Sequence, residues 1–121
     1  MMGLTGKVTA QDRRIWQIQA HVALGELLEE AHKKRLEPIA WHVADGLQVQ
    51  GRIDSPLLGA AERRALFDQW AAFLFAKQVT ETPSGFDLRL VARDGPPLRN
   101  RVTVTLVCDI PLTPGDEPPD A

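Results

Sequence analysis

Residues 38–53 constrain the fold more than any other part of this chain. Apolar and polar side chains alternate there in two runs, one on either side of Ala44-Asp45-Gly46. The parity that holds the large apolar side chains comprises Ile39, Trp41, Val43, Leu47, Val49, Gly51 and Ile53. Strict alternation is typical of β-strands with one buried face. The stretch is therefore predicted to be a hairpin with one dry face, which another part of the chain must cover.

The length of the hairpin loop decides whether the dry faces of its two strands coincide. A two-residue loop pairs Trp41 with Gln50 and mixes apolar with polar side chains on each face. A three-residue loop, with Gly46 in the left-handed region, pairs Trp41 with Val49 and leaves one face wholly apolar. The sequence therefore predicts the three-residue loop.

Length and composition indicate one ordinary globular domain. The chain has 121 residues, of which 44% are hydrophobic and 25% charged. A formal net charge of −2 provides no global field that would attract nucleic acid or an anionic membrane. Cys108 is the single cysteine, so a reducing compartment is expected. With no apolar run of the roughly 20 residues that span a bilayer and no secretory signal at the start, the expected location is the cytoplasm.

Two segments show the spacing of three and four residues that is typical of helices. The first covers residues 9–35, where Thr9 followed by Asp12 resembles a capping box. Its predicted core stripe comprises Ile15, Ile18, Val22, Leu24, Leu27, Leu28 and Ala31. The second covers residues 60–76. Its predicted core side carries Leu66, Trp70 and Phe73, and its predicted wet side carries Arg63, Arg64 and Asp68.

Three strands are predicted after the second helix, at residues 77–82, 86–93 and 101–110. The first of them has Val79 as its only large apolar residue, which suits the edge of a sheet. In the other two, apolar and polar side chains again alternate, and Phe86 is predicted to begin the inward parity of its strand. All five strands are thus expected to share one dry face.

The elements together predict a single α+β domain over residues 9–110. Its expected architecture is a five-stranded antiparallel sheet with two helices packed on one face, in the order α-β-β-α-β-β-β. Residues 1–8 are predicted to be a flexible N-terminus. Residues 111–121, which combine prolines with acidic side chains, are predicted to be a disordered tail.

The chain contains no recognisable catalytic constellation. Phosphate-binding loops, dinucleotide-binding glycine patterns and nucleophile elbows are missing from the sequence. The histidines His21, His32 and His42 have no second ligand at the spacing of a zinc site. Cys108 falls on an inward parity, where a thiol acts as a small hydrophobe. We therefore predict a protein that is not an enzyme, with no cofactor and no metal.

The outward side of the predicted sheet, here called the outer sheet face, is the candidate working surface. Four arginines and two aspartates make it mildly basic, and two valines offer apolar contact. The candidate interface residues are Arg52, Arg89, Val91, Arg93, Arg101, Thr103, Thr105 and Val107. A solvent-facing sheet surface needs no function. The sharper hypothesis is that this face binds an unknown protein partner or a second copy of the chain.

Two other functions are weighed against this hypothesis. In the first, a small ligand or regulator binds in a pocket between helix 60–76 and the sheet, near Trp41 and Trp70. In the second, the sheet binds single-stranded nucleic acid. That function requires exposed aromatic side chains for base stacking, and the outward positions carry none, so nucleic-acid binding is not expected.

Three segments carry a resemblance to a known group of proteins. They are the strand Glu37-Pro38-Ile39-Ala40-Trp41-His42-Val43, the following Gly51-Arg52-Ile53, and the helical segment from Glu62 to Ala71. A Pro-x-x-Trp strand followed by an Arg-x-x-Phe-x-x-Trp helix resembles a group of small uncharacterised proteins of high-GC actinobacteria. The group has no established activity, so the resemblance implies no catalytic residue.

Overall fold

A computed structural model describes residues 7–44 and 46–112 of the chain. Two helices and five strands make up this part, which confirms the α+β class. In chain order the elements are α1 (Ala10–Lys33), β1 (Ala40–Val43), β2 (Gln48–Ile53), α2 (Ala60–Phe73), β3 (Gln78–Ser84), β4 (Asp87–Arg93) and β5 (Thr103–Pro111). A tight turn at Arg99–Arg101, which the sequence pattern did not predict, precedes β5.

The sheet is mixed, so the prediction of a purely antiparallel sheet is wrong at one pair of strands. Its strand order is β1-β2-β5-β4-β3, and β2 and β5 are parallel while the other neighbours are antiparallel. The cause is α2, which carries the chain back across the sheet so that β3 runs in the same direction as β2. Because β5 is separated from β3 by one antiparallel strand, it also runs parallel to β2.

The β1–β2 hairpin keeps the predicted faces but not the predicted register. Trp41 lies opposite Gly51, and Val43 lies opposite Val49, a shift of two residues from the expected pairing of Trp41 with Val49. A shift of two residues preserves the inward parity, because side chains alternate with a period of two. Gly46 has a φ of +82°, as the predicted left-handed loop requires.

The volume beside Gly51 explains this register. A Cβ atom built on Gly51 would lie 2.9 Å from Cδ1 of Ile39 and 3.0 Å from Cη2 of Trp41. Only glycine leaves the space that the indole occupies across the strand pair. The register that places Trp41 beside Gly51 therefore gives the largest side chain of β1 room on the dry face.

Both helices pack against the same face of the sheet. Helix α2 contributes Phe67 and Trp70, which are 2% and 1% exposed, to a cluster with the inward side chains of β2, β4 and β5. Helix α1 contributes Ala20, Ala23, Leu24 and Leu27 to a second cluster with Val49 and Val102. The arrangement confirms two helices on one face and leaves the opposite side of the sheet without a covering element in the described residues.

Each helix begins and ends with identifiable caps. At the start of α1 the Thr9 hydroxyl accepts from the Asp12 amide at 3.1 Å, and the Thr9 amide donates to the Asp12 carboxylate at 3.0 Å, which confirms the predicted capping box. Both helices end in a left-handed residue, Arg35 after α1 and Phe75 after α2. The amide of the next residue then reaches a carbonyl five positions earlier, as in a Schellman motif.

Arg63, predicted on the wet side of α2, is buried. Its guanidinium donates to the carbonyl oxygens of Leu58 at 3.1 Å, Ser55 at 2.8 Å and Asp109. A buried guanidinium is tolerated when its donors find acceptors. These bonds tie the first turn of α2 to the loop after β2 and to β5.

The edges of the described chain differ in detail from the prediction. Strand β3 lies at the sheet edge as expected, but it continues to Ser84. Phe86, predicted to be inward on β4, is in the turn that follows Gly85 and is 88% exposed. Pro111, predicted to begin the tail, is the last residue of β5 and pairs with Asp87 of β4. Residues 1–6 of the predicted flexible N-terminus and residues 113–121 of the predicted tail lie outside the described residues.

Replacement of Gly51 tests the account of the hairpin register. We expect Gly51→Ala to destabilise the fold by about 1–3 kcal/mol, because the new methyl group overlaps Ile39 and Trp41. Urea unfolding followed by tryptophan fluorescence measures the change. Gln50→Ala, at the next position of β2, is the control. A Gly51→Ala protein as stable as this control contradicts the account.

Candidate interaction surfaces

The outer sheet face is built by the outward parity of all five strands. Of the eight residues predicted as its interface, seven lie on strands with the expected parity: Arg52, Arg89, Val91, Arg93, Thr103, Thr105 and Val107. Arg101 does not, because it belongs to the turn before β5 and has a φ of +61°. Gln78, Thr80 and Thr82 extend the face across β3, since they pair with outward residues of β4.

The row of residues across the middle of this face exposes less apolar surface than the sequence predicted. Arg52, Val107 and Val91 are direct neighbours across β2, β5 and β4. Val107 is only 6% exposed, although no described helix or strand covers this side of the sheet. Side chains on the neighbouring strands therefore shield it. The apolar contact that a partner would meet comes mainly from the half-buried Val91.

Arg89 and Asp109 form a fixed ion pair on the face. They are register partners in β4 and β5, and two hydrogen bonds of 2.8 Å and 3.1 Å join the guanidinium to the carboxylate. The hydrogen bond from Arg89 lowers the pKa of Asp109, against the opposing effect of partial burial. The pair therefore stays ionised at neutral pH, and Arg89 is committed within the chain.

A polar cleft lies at the end of the outer sheet face where β5 begins. It has a volume of about 390 Å³. Its walls are formed by Gln48, Arg93, Asp94, Gly95, Pro97, Thr103, Val104 and Thr105. Two of the predicted interface threonines and Arg93 are thus brought together beside the loop at residues 94–98. Hydroxyl, amide and guanidinium groups converge there, an arrangement suited to hydrogen bonding with a polar partner.

The predicted pocket residues Trp41 and Trp70 pack directly against each other. Their ring centroids are 5.5 Å apart at an interplanar angle of 68°, an edge-to-face contact that leaves no ligand-sized space between the rings. Trp70 donates its indole N–H to the Glu37 carbonyl at 2.9 Å. The Trp41 indole nitrogen is buried without a hydrogen-bond partner among the described residues.

An apolar cavity of about 200 Å³ lies instead at the far end of α2. Phe73, Leu74 and Leu27 line it from the helices, and the loop at residues 94–98 closes it. Gly95 permits this closure, because a Cβ atom there would overlap the Leu74 carbonyl oxygen. The space is smaller than the roughly 300–1,000 Å³ typical of small-molecule sites.

A second surface, on α1, was missed by the sequence reasoning. Four residues predicted in the core stripe are exposed: Ile15 at 44%, Ile18 at 64%, Val22 at 47% and Leu28 at 41%. Ile15, Ile18 and Val22, together with Gly25, form a row that we call the α1 outer stripe. At about 100° per residue, its centre lies nearly opposite the buried row of Ala20, Ala23, Leu24, Leu27 and Ala31. The signal was in the sequence, since at about 100° per residue Ile15, Ile18 and Val22 lie on the opposite side of the helix from Leu24 and Leu27.

The potential catalytic side chains remain apart. His21, His32 and His42 are all exposed. Within residues 7–44 and 46–112, no three His, Cys, Asp or Glu side chains are grouped closely enough to hold a metal ion. Cys108 is buried, and desolvation raises the pKa of its thiol to about 11, which disfavours the reactive thiolate. Cys108 contributes to packing between β5 and α2, where it lies 3.7 Å from the Arg63 carbonyl oxygen.

Two further observations bear on function. Neither described helix combines the length and the apolar character needed to cross a membrane. Comparison with protein-family models, curated proteins and solved structures found no match. The resemblance to small actinobacterial proteins therefore stays a prediction.

The Arg89–Asp109 pair predicts a specific dependence of stability on pH. The lowered pKa of Asp109 stabilises the fold above the unfolded pKa of about 3.9 and ceases to do so as pH falls through the folded value. We expect Asp109→Asn to lower the urea midpoint at pH 7, and the difference from the unmodified protein to shrink below about pH 4. Asp68→Asn, at an exposed position of α2, is the control. A difference that does not vary with pH contradicts this role of the pair.

Proposed function

We propose that this chain is a non-enzymatic protein-interaction module whose outer sheet face binds an acidic surface on a partner protein. The observation that carries the proposal is one-sided coverage: both described helices pack on the same face of a five-stranded sheet. The other face presents side chains on every strand to the surroundings. Such a face suits recognition of a partner by many small contacts.

The charges on this face favour an acidic partner. Arg89 is paired with Asp109, whereas Arg52 and Arg93 form no ion pair within residues 7–44 and 46–112, although the charge of Arg52 also helps to lower the pKa of Asp109. Their guanidinium groups are suited to planar, bidentate recognition of carboxylates. Val91 supplies apolar contact between them, and the polar cleft beside Arg93 offers additional donors and acceptors. A reducing compartment remains the expected place of action.

A capture experiment with charge-reversed variants tests this function. The immobilised chain is exposed to a lysate of its source cells, and bound proteins are quantified by mass spectrometry. We expect an acidic protein to be captured by the unmodified chain, to be released by added salt, and to be lost with Arg52→Glu/Arg93→Glu. The control Arg13→Glu/Lys34→Glu changes the net charge equally but on α1 and its C-terminal cap, on the other side of the sheet, and we expect it to retain the protein.

One result contradicts the proposed function. If Arg52→Glu/Arg93→Glu captures the same proteins as the unmodified chain, the outer sheet face is not the binding surface. Circular dichroism of each variant establishes that the fold is intact before the capture is interpreted.

A small-ligand function ranks second. The observation in its favour is the apolar cavity of about 200 Å³ under the loop at residues 94–98. Its position differs from the pocket expected near Trp41 and Trp70. Its volume restricts it to a compact apolar molecule.

A further inference from the structure

Helix α1 extends well past the core it covers. It has 24 residues, which corresponds to a length of about 36 Å. Its buried residues all lie between Ala20 and Ala31, so none of the first ten residues of the helix is buried. The N-terminal half therefore presents its side chains largely to the surroundings.

The exposed row on this helix is regular. Ile15, Ile18, Val22 and Gly25 follow one another at spacings of three, four and three residues, which is the heptad spacing of helices that pair. Single exposed apolar residues are ordinary on protein surfaces. A row of three large ones on the face opposite the core is the pattern of a helix that packs on both sides.

Gly25 is the second observation that points to a partner. Glycine destabilises a helix interior relative to alanine, and its structural advantage is that it allows another group to approach the backbone closely. Yet a Cβ atom at Gly25 would have no neighbour within 4 Å among the described residues. This chain therefore does not need glycine there for its own packing. A glycine in the exposed row allows a second helix to approach closely.

We propose that the α1 outer stripe pairs with the same stripe of a second copy of this chain, with the two helices antiparallel. The charges beside the stripe select this occupant. Arg14 lies beside its N-terminal end and Glu29 beside its C-terminal end. Both are exposed, and neither forms an ion pair within residues 7–44 and 46–112.

The antiparallel arrangement makes the stripe complementary to itself. When the two-fold axis crosses the helix pair at the level of Ala20 along α1, Ile18 of one copy lies opposite Val22 of the other, and Ile15 lies opposite Gly25. The offset between Arg14 and Glu29 of the two copies is then about 5 Å along the helix axis, within reach of an arginine side chain. A parallel pair would instead place Arg14 beside Arg14 and Glu29 beside Glu29, so like charges disfavour it.

Sedimentation velocity over a wide range of protein concentration tests the proposal. One helix pair buries less surface than a standard stable interface, so we expect a monomer–dimer equilibrium that depends on concentration. Ile18→Glu should raise the dissociation constant at least about tenfold, because it places a carboxylate without a partner in the contact. The exposed apolar control Leu57→Glu lies outside α1 and should leave the constant unchanged.

Two further variants separate pairing from folding. Arg14→Glu should weaken the dimer, and the double variant Arg14→Glu/Glu29→Arg should restore it, a rescue that a purely structural role does not produce. Gly25→Ala should raise the thermal stability of the dilute monomer, because alanine favours the helix, yet weaken the dimer by separating the two helices.

Two results overturn the proposal. The first is a protein that stays monomeric at every concentration, and binding of its stripe to anionic phospholipid vesicles would then assign the stripe to a lipid surface. The second is a dimer insensitive to Ile18→Glu. A dimer that survives Ile18→Glu but dissociates with Arg52→Glu/Arg93→Glu assigns self-association to the outer sheet face. Failure of the capture experiment on the outer sheet face would not affect the test of self-association through α1, because the two surfaces lie on different elements.

Discussion

Burial of one side of the sheet is the constraint on which the other features of this molecule depend. The inward side chains of β2, β4 and β5 are removed from water by α2 and by the C-terminal half of α1. Trp70 anchors this layer. It is 1% exposed, it meets Trp41 and Phe73 edge to face, and its indole N–H is satisfied by the Glu37 carbonyl. Removal of so large a buried side chain costs about 3–5 kcal/mol in typical cores, so α2 cannot leave this face without loss of the fold.

The same constraint determines what remains outside. Since both helices pack on one face, no element of residues 7–44 and 46–112 covers the outer sheet face. Its polar side chains pair with one another, as Arg89 and Asp109 do, or meet the surroundings. Helix α1 buries its alanine-rich side against the core, so the apolar residues on its opposite side form the outer stripe. The two proposed interaction surfaces are therefore consequences of how the core is covered. They lie on different elements and address different partners.

Alternation in the sequence predicted the faces of the strands but not their partners. Trp41 and Val49 were correctly assigned to the dry face, because that assignment depends only on parity. Register depends on volume across the strand pair, and a shift of two residues leaves parity unchanged. The space beside Gly51 determines the register, and this space is known only from the three-dimensional structure. The parallel pairing of β2 with β5 was not predicted for a related reason. Strand order follows from the crossover through α2, and the alternation of apolar and polar residues does not depend on strand order.

Two errors on the helices have local explanations. Arg63 was assigned to the wet side by its charge, and the three carbonyl oxygens that permit its burial come from segments distant in sequence as well as near. Ile15, Ile18 and Val22 were assigned to the core by their spacing. Spacing identifies a helical face but not which face meets the sheet, and the alanines Ala20 and Ala23 reveal it only once the close helix–sheet contact is known.

Methyl NMR of the five isoleucines tests whether α1 buries its alanine-rich side and exposes the opposite stripe. A soluble paramagnetic agent added to a dilute sample, in which the chain is monomeric, relaxes methyl groups according to their exposure. We expect strong relaxation at Ile15 and Ile18 and weak relaxation at Ile53 and Ile110, which are 2% and 5% exposed. Equal protection of Ile15, Ile18 and Ile53 in the monomer would rule out this orientation of α1, because the isoleucine row would then face the sheet.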